Sequence, residues 1–153
     1  MKIKATSQVL GVIGDPIAHS FSPDMHNAAI DALGIDFCYV AFRVKSEGVG
    51  AVVKGLREFG ILGLNVTIPH KLEAMGVVDE VDEVAKRIGA ISCVVVNEDG
   101  SLFGTNNDWL GFLGNLKEHY PDFRADAGPI TVIGAGGGGR AVCHAMLHEG
   151  APE

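Results

Sequence analysis

The sequence predicts an α/β fold in which helices cover both faces of a mainly parallel sheet, a three-layer arrangement. Short apolar runs rich in β-branched residues, among them residues 9–13 and 91–96, predict buried strands. Segments with the apolar spacing of helices lie between these runs, and glycine or proline marks most of the junctions. Strands that alternate with helices favour parallel pairing, because a crossover helix returns the chain to the starting end of the sheet.

The first half of the chain predicts strands and helices with clear ends. Three strands are predicted here, at residues 9–13, 37–44 and 61–67. Ser22 is the predicted N-cap of the first helix, with Pro23 at its first position and Gly34 at its end. The second helix covers residues 46–59 and ends at Gly60, because glycine tolerates the left-handed conformation that closes a helix.

The second half predicts shorter elements and then a linker. Helices are predicted at residues 69–76, 79–88, 109–119 and 141–149, and strands at residues 91–96, 101–103 and 130–133. Asn106, Asn107 and Asp108 are predicted to cap the helix that begins at Trp109. Residues 121–129 are polar and bounded by proline, which is typical of a linker.

Composition and charge disfavour several classes of function. The chain is 47% hydrophobic and 20% charged, which is ordinary for a globular domain. Its formal net charge of −7 and the lack of a basic run disfavour nucleic acid as a partner, since phosphate backbones call for clustered Lys and Arg. No apolar stretch approaches the roughly 20 residues that span a bilayer, and the N-terminus has no leader pattern. We therefore expect a cytoplasmic protein without membrane contact.

Neither the cysteines nor the histidines predict a metal site. Cys38, Cys93 and Cys143 are widely spaced without a C-x-x-C pair, and they are predicted to be free thiols. His144 and His148 share one face of a predicted helix, but no H-E-x-x-H motif surrounds them.

A glycine-rich loop follows the strand predicted at residues 130–133 and opens the next helix. It fits G-x-G-x-x-G, with Gly134, Gly136 and Gly139 on the template. Such a loop lets a pyrophosphate approach the N–H groups at a helix start, so the strand, loop and helix predict the first β–α unit of a Rossmann domain. A turn that binds nothing is the other interpretation. The predicted cofactor-binding residues are Gly134, Ala135, Gly136, Gly137, Gly138 and Gly139.

Polar side chains gather at the predicted ends of two strands, where open α/β sheets bind their ligands. Ser20 and Ser22 follow the first strand at a helix start, a place suited to a carboxylate, although capping the helix is the alternative role of Ser22. Asn65 and Thr67 are polar positions at the edge of the apolar strand at residues 61–67, where their side chains need water or a ligand as partner.

Lys71 and Asp108 are candidates for an acid–base pair. A carboxylate that meets an ammonium over a bound hydroxyl holds the ammonium in place and tunes its pKa. Taken singly, Lys71 has the pattern of a surface charge and Asp108 that of a helix cap. Spacing alone does not show that the two side chains meet.

Four stretches of the chain together resemble the signature blocks of the shikimate dehydrogenase family. They are GDPIAHSFSPDMHN at residues 14–27, NVTIPHK at 65–71, GAISCVVVNEDGSLFGTNNDWLGF at 89–112 and VIGAGGGGRA at 132–141. The resemblance covers nearly the whole chain. It implies an oxidoreductase that reduces 3-dehydroshikimate to shikimate, reversibly and with NADPH, in the route to aromatic amino acids. NAD is the alternative cofactor, because the residue that separates the two lies about 20 positions past the loop, outside this sequence.

The resemblance also implies site residues and domains. Lys71 and Asp108 would form the catalytic pair, the serines would hold the substrate carboxylate, and the other side chains would bind ring hydroxyls. The implied substrate-binding residues are Ser20, Ser22, Asn65, Thr67, Ser92 and Asp108. The implied domains are a substrate-binding and catalytic domain at residues 1–108, a connecting helix and linker at 109–128, and the truncated start of an NAD(P)-binding Rossmann domain at 129–153.

Three residues depart from the family pattern. Where the third block usually has asparagine and threonine, this chain has Ser92 and Cys93, and Asn107 replaces the threonine before Asp108. A site that loses a hydrogen-bond partner can lose roughly 10⁴-fold in selectivity. The alternatives are therefore a paralogue that acts on quinate, another cyclic hydroxy acid or an aminated analogue, and a substrate-binding fragment without turnover.

Overall fold

The computed structural model describes residues 2–152, in which one sheet is flanked by helices. Met1 and Glu153, the outer ends of the first and last predicted domains, lie outside the described residues. The strands are β1 (Gln8–Gly14), β2 (Phe37–Arg43), β3 (Ile61–Val66), β4 (Glu80–Val81), β5 (Cys93–Val96) and β6 (Leu102–Thr105). The helices are α1 (Ser22–Leu33), α2 (Val49–Phe59), α3 (Lys71–Met75), α4 (Glu83–Ile88), α5 (Asp108–His119) and α6 (Gly137–His148).

The strands form a six-stranded sheet in the order β2-β1-β3-β5-β6-β4. β1 is parallel to both β2 and β3, and β4 is parallel to β6. β5 runs antiparallel to both of its neighbours, and the turn at residues 97–100 joins it to β6 as the predicted hairpin. The predicted α/β class is confirmed, and the mainly parallel sheet contains one reversed strand.

Two apolar cores lie on opposite faces of this sheet. Successive residues of a strand point to opposite faces, and Val12 and Ile13 of β1 show this directly. Val12 packs in one core with Ile30 of α1, whereas Ile13 packs in the other with Val53 of α2. The predicted three-layer arrangement is therefore present, with α1 on one face and α2 on the other.

The first helix begins one residue earlier than predicted. Ser22 is the first residue of α1, and its N–H donates to the Oγ of Ser20 at 3.2 Å. The prediction that Ser22 is the N-cap was wrong, because Phe21 occupies that position and no side chain makes a capping hydrogen bond there. Gly34 ends α1 with a φ of 65°, and Gly60 ends α2 with a φ of 64°, as predicted.

The helix predicted at residues 79–88 is shorter in the structure. Glu80 and Val81 pair with β6 as the edge strand β4, and α4 begins only after Asp82. The Asp82 carboxylate accepts a hydrogen bond from the Ala85 N–H at 2.6 Å, which caps α4. The acidic residues and the helical spacing of the apolar residues therefore led to a wrong prediction for the first turn, residues 79–82.

The predicted strand at residues 130–133 is not formed. No strand among residues 2–152 pairs with it, and the side chain of Ile133 is 97% exposed. A strand needs a hydrogen-bonded neighbour, because its backbone groups cannot pair within one extended segment. α6 follows, and it begins at Gly137, earlier than the predicted residue 141.

α5 and α6 pack against each other around a small apolar core of their own. Leu113 of α5 is buried with Ala145 and Met146 of α6. Ala141 of α6 also packs against Ile88 at the end of α4, which connects this pair of helices to the sheet. Within residues 2–152, no helix combines the length and the apolar character needed to cross a membrane.

Candidate active site

The loops that follow β1 and β3 both start at the carboxyl ends of these parallel strands, on the same side of the sheet, and then diverge. β1 lies between β2 and β3, and the helices that connect these strands cover opposite faces. Two backbone hydrogen bonds hold the loops together, from Asp15 N to the Ile68 oxygen at 3.1 Å and from Thr67 N to the Ile13 oxygen at 3.0 Å. Open α/β sheets bind ligands at such a switch point.

A cavity of about 350 Å³ lies between these two loops. Three hydroxyl side chains contribute to its lining, those of Ser20, Ser22 and Thr67. The rest of the lining is mostly apolar and is formed by Val12, Pro16, Ile17, His19 and Ile68. Hydroxyl donors beside the N-terminus of a helix of 12 residues suit an anionic group such as a carboxylate.

Gly14 determines how Thr67 sits beside this cavity. A Cβ at position 14 would lie 2.6 Å from the Thr67 Cγ2 atom, closer than side-chain carbons approach each other. The absence of a side chain at Gly14 therefore lets the threonine methyl pack onto the end of β1. Thr67 is one of the residues that line the cavity.

Lys71 and Asp108 are in direct contact. Each is the first residue of a helix, α3 and α5 respectively, and Lys71 Nζ donates a hydrogen bond to Asp108 Oδ2. The lysine side chain is 14% exposed and the aspartate side chain 30% exposed, so the pair is partly removed from water. Such a pair can hold and transfer a proton next to a bound hydroxyl.

The segment at residues 90–92 explains why the two side chains meet. Ile91 N donates to the Lys71 oxygen at 3.0 Å, which ties the start of α3 to the segment. On the other side, the Ser92 hydroxyl accepts a hydrogen bond from Asn107 N at 3.0 Å. The Ser92 oxygen therefore serves the loop that carries the aspartate, a use that the sequence did not predict.

Asn106 completes this connection. It is only 2% exposed, and its Nδ2 donates to the Ala90 oxygen at 2.9 Å. Its Oδ1 accepts from Asp108 N at 3.0 Å, which holds the first residue of α5. The helix begins at Asp108, one residue before the predicted start, and Asn107 at the N-cap makes no side-chain capping bond, so the prediction that all three residues cap the helix was wrong. Sequence analysis named Asn106 only as one of three caps; a buried asparagine between a strand and a helix start was the available signal.

Asn65 and Tyr39 form a second polar contact, on the face of the sheet that α1 covers. The Tyr39 hydroxyl donates to the Asn65 Oδ1 at 2.7 Å. Burial raises the pKa of Tyr39 to about 12, with a smaller contribution from Cys93, and burial also raises the pKa of the Cys93 thiol. Sequence analysis did not single out Tyr39, because nothing along the chain indicates that β2 and β3 flank β1.

His70 supports the turn beside Lys71. It is fully buried, and its Nε2 lies 2.7 Å from the Val44 oxygen. A carbonyl only accepts hydrogen bonds, so Nε2 carries the proton, while Nδ1 has no partner among residues 2–152. His70 thereby joins the turn after β3 to the end of β2. The sequence pattern distinguished it in no way from a surface histidine.

The glycine loop approaches the same lysine. A Cβ at position 137 would lie 2.9 Å from both the Cβ and Cδ atoms of Lys71. Gly136 and Gly138 face open space, and no side chain caps the N-terminus of α6. An exposed helix start without a cap and without side chains in front of it fits the phosphates of a dinucleotide. The helix that the motif requires is therefore present, whereas the strand expected before the loop is not formed, and cofactor binding by residues 134–139 stays a prediction.

The sequence model of the shikimate dehydrogenase substrate-binding domain matches residues 12–94, which is more than half of the chain. The chain belongs to the shikimate dehydrogenase family. It is 44% identical over 150 residues to the shikimate dehydrogenase (NADP(+)) of Rhodospirillum rubrum, in an alignment that covers 98% of this chain and 53% of that protein. The chain thus spans about half the length of the curated relatives that it matches.

Solved structures of the same fold agree with this assignment. Shikimate 5-dehydrogenase of Thermus thermophilus, in complex with NADP(H) and shikimate, superposes with a TM-score of 0.84 at 39% identity, over 94% of this chain and 53% of that one. The ligand-free 5-ketofructose reductase of a Gluconobacter strain superposes with a TM-score of 0.82 at 32% identity, over 97% of this chain and 52% of that one.

Within this family fold, the predicted site residues fall into three groups. Lys71 and Asp108 are in contact, and the hydroxyls of Ser20, Ser22 and Thr67 share one cavity. Asn65 and Ser92 do not belong to the lining of that cavity, and both oxygens already accept hydrogen bonds from the protein. The roles of all these residues toward a substrate stay predictions.

Proposed function

We propose that this chain forms the substrate-binding half of an NADP-dependent oxidoreductase that interconverts 3-dehydroshikimate and shikimate. The contact between Lys71 and Asp108 is the observation that carries the proposal, because it provides a proton-transfer pair. The helix that begins at Lys71 follows the loop of Thr67 and Ile68, two of the residues that line the cavity. The relatives named for this activity with NADP(+) support the same substrate and cofactor.

In this proposal each group of site residues binds one part of the substrate. The hydroxyls of Ser20 and Ser22 hold the carboxylate near the N-terminus of α1, where the helix dipole favours negative charge. Thr67, Asn65 and Asp108 hold the ring hydroxyls. The apolar remainder of the cavity lining packs against the ring and excludes water.

Lys71 and Asp108 move the proton of the reacting hydroxyl. On oxidation the pair accepts the proton that leaves the substrate oxygen, and on reduction it returns the proton to that oxygen. The aspartate keeps the ammonium oriented, so that no reorganisation is needed at the moment of transfer. NADPH supplies the hydride when it is bound, and residues 134–139 would hold its phosphates.

The proposed domains follow the packing of these groups. Residues 1–108 would bind substrate and carry the catalytic pair, residues 109–128 would connect, and residues 129–153 would begin the NADP-binding domain. Both cores that cover the sheet consist of residues between 10 and 102, whereas α5 and α6 share a different core. We expect a cytoplasmic location for such a biosynthetic enzyme.

Calorimetry and an absorbance assay would test this proposal on the native protein that carries the chain. We expect saturable binding of shikimate that is lost in Asp108→Ala, and NADP⁺ reduction that depends on shikimate. Lys54→Ala is a matched control, since Lys54 is an exposed lysine on α2 and is not one of the predicted site residues. A folded protein that neither binds nor oxidises shikimate would rule the proposal out.

A second candidate function is oxidation of a different cyclic hydroxy acid, such as quinate. The observation in its favour is the Ser92 hydroxyl, which accepts a hydrogen bond from Asn107 N at 3.0 Å where the family usually has a longer amide. The Gluconobacter reductase also shows that relatives of this fold carry other substrate names. Binding of quinate with tighter affinity than shikimate, reversed by Ser92→Asn, would favour this function. Binding without turnover would instead indicate a substrate-binding fragment.

A further inference from the structure

Tyr39 is held firmly on the face of the sheet that α1 covers. Its backbone N–H donates to the Asn27 Oδ1 at 2.9 Å, and the Asn27 Nδ2 donates to the Tyr39 oxygen at 2.8 Å. The ring stacks on that of His26, with centroids 4.2 Å apart and planes 18° from parallel. The whole residue is only 3% exposed. A tyrosine fixed in backbone and ring can hold its hydroxyl at one point.

That point is the side-chain oxygen of Asn65. The two residues lie on strands at either side of β1, and the Tyr39 hydroxyl donates to the Asn65 Oδ1 at 2.7 Å. The contact fixes which end of the carboxamide faces the tyrosine, because a reversed amide would leave the hydroxyl proton without that acceptor. The high pKa of Tyr39, about 12, keeps the hydroxyl protonated and donating.

The opposite end of the same amide is free for a ligand. The Asn65 Nδ2 donates to no other residue in the described part of the chain, residues 2–152. Asn65 pairs in register with Val12 of β1, and Val12 lines the cavity that contains Ser20 and Thr67. Asn65 is therefore the strand neighbour of a residue that lines the proposed binding cavity.

We infer that Tyr39 is a positioning residue for the substrate. It turns the Asn65 amide so that the NH₂ group donates to one ring hydroxyl of the substrate. The inference rests on the proposed function, since it assumes a hydroxylated ring in the cavity. Because the hydroxyl of Tyr39 donates to the Asn65 amide, it acts on substrate affinity through Asn65.

The substitution Tyr39→Phe in the native protein tests this inference. It removes one hydroxyl and retains the ring, its stacking on His26 and the backbone bonds to Asn27. We expect KM and Kd for shikimate to rise roughly 3- to 10-fold, the usual worth of one hydrogen bond, with kcat changed less than about 2-fold. Tyr120→Phe is the matched control, because Tyr120 is 66% exposed, and it should change neither constant.

A double-mutant cycle with Asn65→Ala separates positioning from a general structural role. Tyr39→Phe should have no further effect on shikimate affinity once the Asn65 amide is absent. The same loss in both backgrounds would overturn the inference, as would an unchanged affinity in Tyr39→Phe. Failure of the unsubstituted protein to bind shikimate would instead count against the proposed function.

Analogues and NMR provide a readout that does not depend on the stability of the variants. Among shikimate analogues that each lack one ring hydroxyl, one should bind the parent and Tyr39→Phe equally. In the unsubstituted protein, the side-chain NH₂ protons of Asn65 should shift when shikimate is added. Unchanged chemical shifts of these NH₂ protons at saturating shikimate would contradict the inference.

Discussion

The two sides of the candidate active site are held by different interactions. On one side, hydrogen bonds from the segment at residues 90–92 fix both Lys71 and the loop that carries Asp108. On the other side, the glycine loop follows residues 130–133, which pair with no strand of the described chain. Packing locates the loop instead, with Gly137 against the stem of Lys71.

This difference determines which changes each side tolerates. A hydrogen-bonded side is sensitive to the loss of a donor or acceptor, because the remaining buried group then has neither its protein partner nor water to bond to. A packed side is sensitive to added volume, because close-packed atoms leave no room for another carbon. Substitutions that remove a hydrogen-bonding side chain should therefore destabilise the protein most around Lys71 and Asp108. Substitutions that add side-chain volume should destabilise it most around Gly137.

The largest effect is expected from Lys71→Ala on turnover. Loss of a general acid–base group typically costs 10²- to 10⁴-fold, so we expect kcat to fall by roughly that factor while KM changes less than about 10-fold. Steady-state kinetics on the native protein with shikimate and NADP⁺ would measure both constants. A rise in KM with kcat intact would mean that Lys71 only binds the substrate, and Lys54→Ala should leave both constants unchanged.

The next largest effect is expected from Asn106→Ala on stability. The substitution removes two hydrogen bonds and leaves the buried Ala90 oxygen without its partner, so we expect the free energy of unfolding to fall by about 2 to 4 kcal/mol. Asn107→Ala is the control, because its exposed side chain makes no capping bond, and it should change stability by less than about 0.5 kcal/mol. Equal urea midpoints for the two variants would contradict this account.

The strands of the sheet illustrate what the sequence could predict. β1, β3 and β5 were predicted from short apolar runs, and β2 from alternating apolar residues, because these patterns identify strands without knowledge of their neighbours. The same pattern at residues 130–133 gave a wrong prediction, since pairing depends on another strand and not on the segment itself. The local residue pattern was sufficient to predict the strands of the sheet, but it was not sufficient at residues 130–133.

The candidate site shows the same limit. Lys71 and Asp108 were singled out as residue types at strand and helix ends, but their contact depends on Asn106 and Ser92, which act from a distance in sequence. Tyr39 was missed because its contact with Asn65 requires the strand order. Positions of single chemical groups were therefore predictable, whereas the hydrogen bonds that orient them required the fold.

A smaller effect is expected on the packed side, from Gly137→Ala. Its added Cβ would meet the Cβ of Lys71, the stiff end of that side chain, at 2.9 Å. We expect a loss of roughly 1 to 3 kcal/mol in unfolding free energy, the usual cost of overpacking. Gly138→Ala should instead raise stability by up to about 1 kcal/mol, because its Cβ meets nothing and alanine favours the helix. Two equally stable variants in urea titrations would show that the loop does not rest on Lys71.

The smallest effect is expected from acidification of the contact between α5 and α6. Trp109 lies edge-on to His144 and His148, at centroid distances of 5.2 and 5.1 Å. Burial, then His148, then Arg87 lower the pKa of His144 below its usual value of 6.5. Because the unfolded chain then binds the proton more readily, the contribution of His144 to stability is complete above pH 6.5 and declines as the pH falls below it.

Urea titrations between pH 7.5 and 5 should show this decline as a difference between variants. His144→Gln removes the titrating group, so its stability should fall less on acidification than that of the parent protein, while His148→Gln should remove only part of the dependence. His144 is only partly buried, and screening by water keeps the difference below those expected for the other substitutions. Identical dependence of the unfolding free energy on pH for the parent and His144→Gln would mean that protonation of His144 does not affect the packing of α5 and α6.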